Sequence, residues 1–118
     1  MWQEALQLSG GGDGSGAEIE DIVSPSYDSN GTFSIPISEN TKYISACVPF
    51  SRSISTFFVY VQTNTVYLRR VGYDSNMEDI TNRCEHHEKN GNYYILQANT
   101  LVNGPSVSSN NVSAVTLK

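Results

Sequence analysis

The chain has 118 residues, the length of one ordinary domain. Only 38% of residues are hydrophobic and 16% charged, and the Ser, Thr, Asn, Gly and Tyr that fill the difference are typical of strands and turns. The net charge of −5 argues against binding to nucleic acid or anionic membranes, which use clustered Lys and Arg. No apolar run approaches the roughly 20 residues of a membrane helix. The first residues also lack the basic and apolar regions of a secretory signal.

The N-terminal segment differs in composition from the rest of the chain. Residues 1–8 carry several apolar side chains, and residues 9–16 form a Gly-rich linker. Eight residues are too few for a stable isolated helix. One interpretation is that Trp2, Leu6 and Leu8 dock on a partner protein or on another copy of the chain. The alternative is that the segment folds back as an extra strand or turn, or stays disordered.

After this docking peptide and linker (1–16), residues 17–118 are predicted to form one domain of short strands. Residues 33–38 and 43–48 each alternate apolar and polar side chains, which is the period of a half-buried strand. Because proline cannot donate to a ladder, Pro36 predicts that the first of these strands lies at a sheet edge.

The clearest unit is a hairpin over 55–71, which we expect to turn at Thr63-Asn64 or one residue later. Either turn predicts the same two faces. The predicted core face carries Val59, Val61, Val66 and Leu68. The opposite face carries Phe58, Tyr60, Tyr67 and Arg69.

A second hairpin is predicted around Asn90-Gly91, a preferred type I′ pair, with a polar edge strand over 83–88 and a return strand over 93–96. A last strand is expected over 112–117, with Val112 and Ala114 on the face opposite Val115 and Leu117. No helical periodicity of useful length follows residue 17, and turn signals recur at the spacing of a sandwich. We therefore predict an all-β chain: a single antiparallel β-sandwich, jelly-roll-like or Ig-like, with six to eight strands and a flexible N-terminal tail.

The face that carries Phe58, Tyr60, Tyr67 and Arg69 is the main candidate site, and Tyr93 or Tyr94 could lie nearby. Tyr and Arg are enriched at interface hot spots, and aromatic rings can stack on sugars. Three interpretations remain open: another part of the same sandwich covers this face, it is a subunit interface, or it is a glycan platform.

The string Cys84-Glu85-His86-His87-Glu88 is the densest group of potential metal ligands. On a strand, Cys84 and His86 would share one face with Glu88, whereas His87 would point the other way. No zinc-binding spacing accompanies them, so Cys84, His86 and His87 are weak candidates, and we expect no metal, no cofactor and no catalysis.

The remaining acids and cysteines are expected to have ordinary roles. The carboxylates at 18–21 and at 78–79 are interpreted as solvated loop acids, with a simple Ca²⁺ site in the 74–79 loop as the alternative. Cys47 and Cys84 are expected to be reduced, half-buried thiols, with a disulfide as the alternative.

The order of these segments resembles that of small tail-associated structural proteins of gut bacteriophages and prophages. The resemblance consists of MWQEALQLSGGGDGSG, then GTFSIPISENTKYISACVPF as opening strands, then the Phe57–Arg70 hairpin. Asp13 within the glycine tract and the Cys84–Glu88 string lie outside the family's pattern.

The resemblance implies a non-enzymatic virion protein, made in the cytoplasm of the host bacterium. It would be a tail, baseplate or fibre component, or a surface decoration or attachment module, that assembles through its N-terminal peptide. Its partners would be further copies of the chain, other virion proteins and host-surface glycans. The alternative function is a carbohydrate-binding β-sandwich module that recognises host-surface glycans.

Overall fold

The computed structural model describes residues 18–28, 31–49, 54–71, 74–98 and 112–118. Ten β-strands occur in these ranges: β1 (Ile19–Val23), β2 (Ser26–Tyr27), β3 (Thr32–Pro36), β4 (Tyr43–Pro49), β5 (Ile54–Tyr60), β6 (Thr65–Val71), β7 (Asp74–Asp79), β8 (His86–Asn90), β9 (Tyr93–Gln97) and β10 (Ser113–Leu117). The helical segment is a single 3₁₀ turn, Thr81–Arg83. Among the described residues, no helix has the length and apolar character to cross a membrane.

The strands form two antiparallel sheets. The six-stranded sheet has the order β1-β10-β4-β5-β6-β7, and the four-stranded sheet has the order β2-β3-β9-β8. Four consecutive strands, β4 to β7, follow one another in the larger sheet, and the 3₁₀ turn then leads the chain into the smaller one. The predicted all-β sandwich is confirmed.

One face of each sheet packs against the other, and the alternating apolar residues supply this core. From the six-stranded sheet come Ile44, Ala46, Val48, Phe57, Val59, Val66, Leu68 and Ala114, and from the four-stranded sheet Phe33, Ile35, Tyr94 and Leu96. The rings of Phe33 and Phe57 lie 6.4 Å apart between the sheets. The predicted alternation in β3, β4, β5, β6 and β10 is therefore confirmed.

The first hairpin has the predicted faces and a different turn. Tyr60 pairs with Thr65, so the connection is a four-residue loop, 61–64, instead of a two-residue turn. The pairing moves by two residues as a result. Because side chains alternate with a period of two, such a shift leaves the strand residues on their predicted faces. Val61, predicted on the core face of the strand, instead lies in the loop and is partly buried against the core.

The second hairpin turns one residue later than predicted. Asn90 pairs with Tyr93, so Gly91 and Asn92 form the turn. Gly91 has φ 60° and Asn92 is not in the positive-φ region, which is the type II′ pattern and not the predicted type I′. The outgoing strand β8 is an exposed edge strand, as predicted.

The prediction that the strand of Pro36 lies at a sheet edge is wrong. Pro36 itself nevertheless has no neighbouring strand on the side of its nitrogen, as expected for a residue without an N–H. Strand β3 lies between β2 and β9. However, β2 pairs only with Ser34 and Phe33. The N–H of Ile37 donates to the Asn92 carbonyl on the β9 side, so the nitrogen of Pro36 points to the side where β2 has ended.

Strands β1 and β7 lie in segments interpreted as loops from the sequence, and β2 lies in a segment for which the sequence predicts no strand. Strands β1, β2 and β7 raise the number to ten in the described ranges, above the expected six to eight. Their residues are largely polar or exposed, and each lies at the edge of a sheet. An edge strand buries few side chains, so its sequence need not alternate apolar and polar residues.

A polar contact ties the two sheets together at the 61–64 loop. Asn64 has φ 53°, a left-handed conformation that asparagine tolerates better than most residues. Its amide nitrogen donates to the carbonyl oxygen of His87 in β8 at 3.0 Å. Its amide oxygen accepts a hydrogen bond from the Tyr94 hydroxyl, which would otherwise lack a partner at its buried position.

We expect Asn64→Ala to lower the free energy of unfolding by about 2–4 kcal/mol, because it leaves the Tyr94 hydroxyl unpaired and strains the loop. Asn64→Gly relieves the strain but not the lost hydrogen bonds, so it should cost about 1–3 kcal/mol. Urea denaturation of both variants measures the two effects. If the free energy of unfolding of both variants lay within about 0.5 kcal/mol of the wild-type value, the stabilising role of the Asn64 hydrogen bonds would be contradicted.

Candidate functional site

The four residues predicted to share a face do so. In the pairing register, Phe58 lies opposite Tyr67, and Arg69 lies opposite Thr56. They occupy the side of the six-stranded sheet that points away from the four-stranded sheet, together with Tyr60. We call this surface the tyrosine face.

The register adds Tyr43 to this face, next to Tyr60. The Tyr43 and Tyr60 rings form an edge-to-face pair with centroids 5.5 Å apart. The Tyr60 and Tyr67 rings are tilted at the same separation. Burial raises the pKa of the Tyr60 hydroxyl, and the neighbouring Tyr67 and Tyr43 add to the effect. The result is a row of three tyrosines across β4, β5 and β6.

Phe58 lies within this row and is only 4% exposed, although it is outside the core cluster between the sheets. Its cross-strand neighbours are Ser45 and Tyr67. The tyrosine face therefore has a buried aromatic base and half-buried tyrosines around it. Among the described residues, the four-stranded sheet lies on the opposite side, so it does not cover this face.

Exposed aliphatic side chains continue the tyrosine face toward the edge strand β1. Ile22 is 72% exposed and Ile19 is 65% exposed. Ile22 pairs with Val115 and Ile19 with Leu117, and Leu117 pairs in turn with Tyr43. The sequence did not mark these isoleucines, because strand β1 is short and mostly polar.

The two further tyrosines that could have joined the face do not. Tyr94 is fully buried in the core, where burial raises the pKa of its hydroxyl. Tyr93 is 47% exposed on the outer side of the four-stranded sheet. Both residues lie on β9, which belongs to the four-stranded sheet, whereas Tyr60 lies on β5 in the six-stranded sheet.

The Cys84–Glu88 string does not assemble as one site. Strand β8 begins only at His86, so the predicted common face of Cys84 and His86 is wrong. Cys84 packs against the core, and its sulfur lies 3.5 Å from the Ile80 carbonyl oxygen. His86 instead contacts Glu88 at 2.9 Å. The side chain of His87 faces the opposite way, and no residue of the described ranges forms a hydrogen bond with its Nδ1.

The two thiols in the described ranges are free, as expected. Burial, with the Glu85 carboxylate nearby, raises the pKa of Cys84 to about 11. Burial also raises the pKa of Cys47. Because the thiolate is the reactive form, neither environment activates a nucleophile at neutral pH. No group of three His, Cys, Asp or Glu side chains within these ranges could hold a metal ion.

The acids predicted in loops lie on strands instead, with Glu20 and Asp21 on β1 and Glu78 and Asp79 on β7. Asp21, Glu78 and Asp79 are exposed, as predicted, whereas Glu20 is half-buried. Residues 74–79, the Ca²⁺ alternative, form strand β7. Asp79 accepts hydrogen bonds from the Thr81 N–H at 3.0 Å and from its hydroxyl at 2.7 Å. These hydrogen bonds lower the pKa of Asp79. Glu78 pairs with Arg83 at 2.5 Å, so both carboxylates are engaged at the 3₁₀ turn.

Glu20 lies on β1, where a register shift between Ile19 and Asp21 gives a bulge, a feature that re-aims side chains. Its carboxylate accepts hydrogen bonds from the hydroxyls of Ser38 and Thr41. Burial by itself raises the pKa of Glu20, but these hydrogen bonds, a further one with Thr116 and the positive charge of Lys118 together outweigh it, and the net pKa is lowered. The carboxylate thus anchors the loop between β3 and β4.

The predicted docking residues Trp2, Leu6 and Leu8 lie outside the described residues. In comparisons with models of known protein families, with curated proteins and with solved structures, the chain has no match. The site is therefore interpreted from its own chemistry.

Because the pKa of Glu20 is lower in the folded chain than its ordinary value of 4.5, its stabilising contribution is present above pH 4.5 and is lost as pH falls through the lowered pKa. We expect Glu20→Gln to lower the free energy of unfolding at pH 7. The difference from wild type should shrink as the solution is acidified. Urea unfolding at several pH values measures this difference.

Thr41→Val provides a matched test, because it removes one donor to Glu20 and keeps the carboxylate. Its pH dependence over the same window should lie between those of wild type and Glu20→Gln. A difference between wild type and Glu20→Gln that stays constant from pH 7 to pH 3 would contradict this role of the carboxylate.

Proposed function

We propose that the chain is a non-enzymatic structural protein of a phage virion, a subunit of the tail, baseplate or fibre or a decoration of the particle surface. It assembles through its N-terminal peptide and through the tyrosine face, which meets a neighbouring copy. The observation that carries this proposal is the exposure of Ile19 and Ile22 next to the tyrosine row.

Apolar side chains at this position favour a protein partner. Isoleucine buried at a contact contributes by the hydrophobic effect, and tyrosine is enriched at interface hot spots. The surface crosses the sheet from the edge strand β1 to β6. Such a continuous patch suits an isologous contact, in which the same face of two copies meets.

The composition of the N-terminal segment supports a second contact. Residues 9–16 are rich in glycine, and a flexible linker of this length has a root-mean-square span of roughly 16 Å. A tether of this kind lets the apolar residues 1–8 bind an adjacent subunit while the domain keeps its own contact. Two linked contacts raise the effective concentration of each.

We expect the full chain to form a defined oligomer and Ile22→Lys to weaken its association at least tenfold, about 1.4 kcal/mol. The lysine would place a charge in the apolar contact. Tyr93→Lys is the matched control, because Tyr93 is exposed on the outer side of the other sheet. Light scattering and sedimentation equilibrium measure the association. A monomeric wild type, or equal effects of both substitutions, would contradict assembly through the tyrosine face.

The virion role has its own test. Particles purified from a culture that produces the encoding phage should contain the chain in a fixed ratio to the other structural proteins, as measured by mass spectrometry. Trp2→Ala with Leu6→Ala should leave the domain folded and remove it from the particles. Absence of the wild-type chain from purified particles would exclude the role.

The row formed by Tyr43, Tyr60 and Tyr67 favours a second candidate function, carbohydrate binding. Offset aromatic rings on an open sheet offer flat apolar surfaces on which sugar rings stack. If the chain binds carbohydrate through this row, Tyr60→Ala should abolish binding to an array of bacterial surface glycans, whereas Tyr93→Ala should retain it. A wild-type chain that binds no glycan on the array at high concentration would exclude it.

A further inference from the structure

All three lysines of the chain line one pocket of about 450 Å³ at one end of the sandwich. This volume falls within the range of small-molecule sites, about 300–1,000 Å³. The polar side chains of the pocket are Lys42, Lys89, Lys118, Glu39, Asn40 and Gln62. They come from the β3–β4 loop, the β5–β6 loop, strand β8 and the end of β10. Residues distant in sequence thus converge in a chain of net charge −5.

The walls of the pocket are held in place by hydrogen bonds. The Val61 N–H donates to the Lys42 carbonyl oxygen at 2.8 Å, and the Lys42 N–H donates to that of Leu117 at 2.7 Å. These bonds join the two loops and the end of β10. Thr41 is buried, and its hydroxyl donates to Glu20. The pocket is therefore largely formed before a ligand enters, which lowers the entropic cost of binding.

The three lysines are exposed, and none of them forms an ion pair with a carboxylate in the described ranges. Lys118 has one carboxylate of the chain in its surroundings, because its positive charge helps to lower the pKa of Glu20. A pocket lined by three cationic side chains favours a negatively charged ligand.

The other groups of the pocket indicate what kind of anion this is. Phosphate sites in loops use clustered free backbone N–H groups, but those of Asn40, Thr41 and Lys42 already donate within the protein. Glu39 would repel a bare anion, whereas its carboxylate can accept hydrogen bonds from hydroxyl groups. The amides of Asn40 and Gln62 can also bind hydroxyls. This combination fits a ligand with several hydroxyls and a few separate negative charges.

The aromatic pair of the tyrosine face lies beside the pocket. Tyr43 directly follows Lys42, and Tyr60 directly precedes Val61, at the ends of β4 and β5 that border the pocket. A sugar chain could stack on the Tyr43–Tyr60 pair and place its charged groups among the lysines.

We propose that this pocket binds an acidic glycan, whose carboxylate or sulfate groups contact Lys42, Lys89 and Lys118. The choice of a glycan rests on the second candidate function above. Because Tyr43 and Tyr60 belong to the tyrosine face, the stacking requires a contact between copies that leaves these two rings uncovered. The site joins an aromatic stacking surface to a cationic pocket at the loop end of the sandwich.

Isothermal titration of the full chain with tetragalacturonate tests the proposal, with its methyl ester as the uncharged counterpart. We expect the ester to bind at least tenfold more weakly. The triple variant Lys42→Gln/Lys89→Gln/Lys118→Gln should also lose at least tenfold in affinity for the acid. Binding should weaken as NaCl rises from 0.05 to 1 M, because screening shortens the Debye length to about 3 Å.

Arg83→Gln is the control for loss of positive charge outside the pocket, and it should leave the affinity within about twofold. A sulfated tetrasaccharide in a parallel titration distinguishes sulfate from carboxylate recognition, and binding of either supports the site. The proposal is overturned if neither acid binds, if the triple variant binds as wild type does, or if inorganic sulfate binds as tightly as the saccharides. Equal binding of acid and ester would overturn the role of the lysines and keep the glycan-binding candidate.

Discussion

The packing of the two sheets face to face is the interaction on which the rest of the structure depends. Phe33 and Ile35 from one sheet and Phe57 and Val59 from the other remove their side chains from water together. Because strand side chains alternate, this burial commits the remaining half of each strand to the outside. Tyr43, which neighbours a buried residue in sequence, is thereby placed on the outer side. The tyrosine face is a geometric consequence of the core.

Polar contacts fix the positions of loops and edge strands that the core does not hold. Asn64 links the 61–64 loop to β8 and provides the partner for the buried Tyr94 hydroxyl. Glu20 ties β1 to the β3–β4 loop through Ser38 and Thr41. Each contact holds a connection at an end or edge of the sandwich, where apolar burial is small. Loops fixed in this way can carry a binding site, because their backbone needs little ordering when a ligand arrives.

The two proposed contacts use chemically different parts of the molecule. The apolar edge at Ile19 and Ile22 suits a protein surface, and the lysine pocket beside Tyr43 and Tyr60 suits an anionic ligand with hydroxyls. They are compatible in one protein if the contact between copies is centred on β1 and leaves Tyr43 and Tyr60 uncovered. A virion protein that combines both would hold its neighbours and contact a charged host surface.

The sequence by itself determined the fold class, the faces of β3–β6 and β10, and the common face of Phe58, Tyr60, Tyr67 and Arg69, because a period of two survives errors in turn position. It did not reveal β1, β2 and β7, since edge strands bury too little to show that period. Only the tertiary structure decided that Tyr43 meets Tyr60, Asn64 meets Tyr94 and Glu20 meets Thr41, and that the three lysines line one pocket. Such neighbours depend on strand order and register, which are set by packing between segments distant in the chain and leave no local pattern.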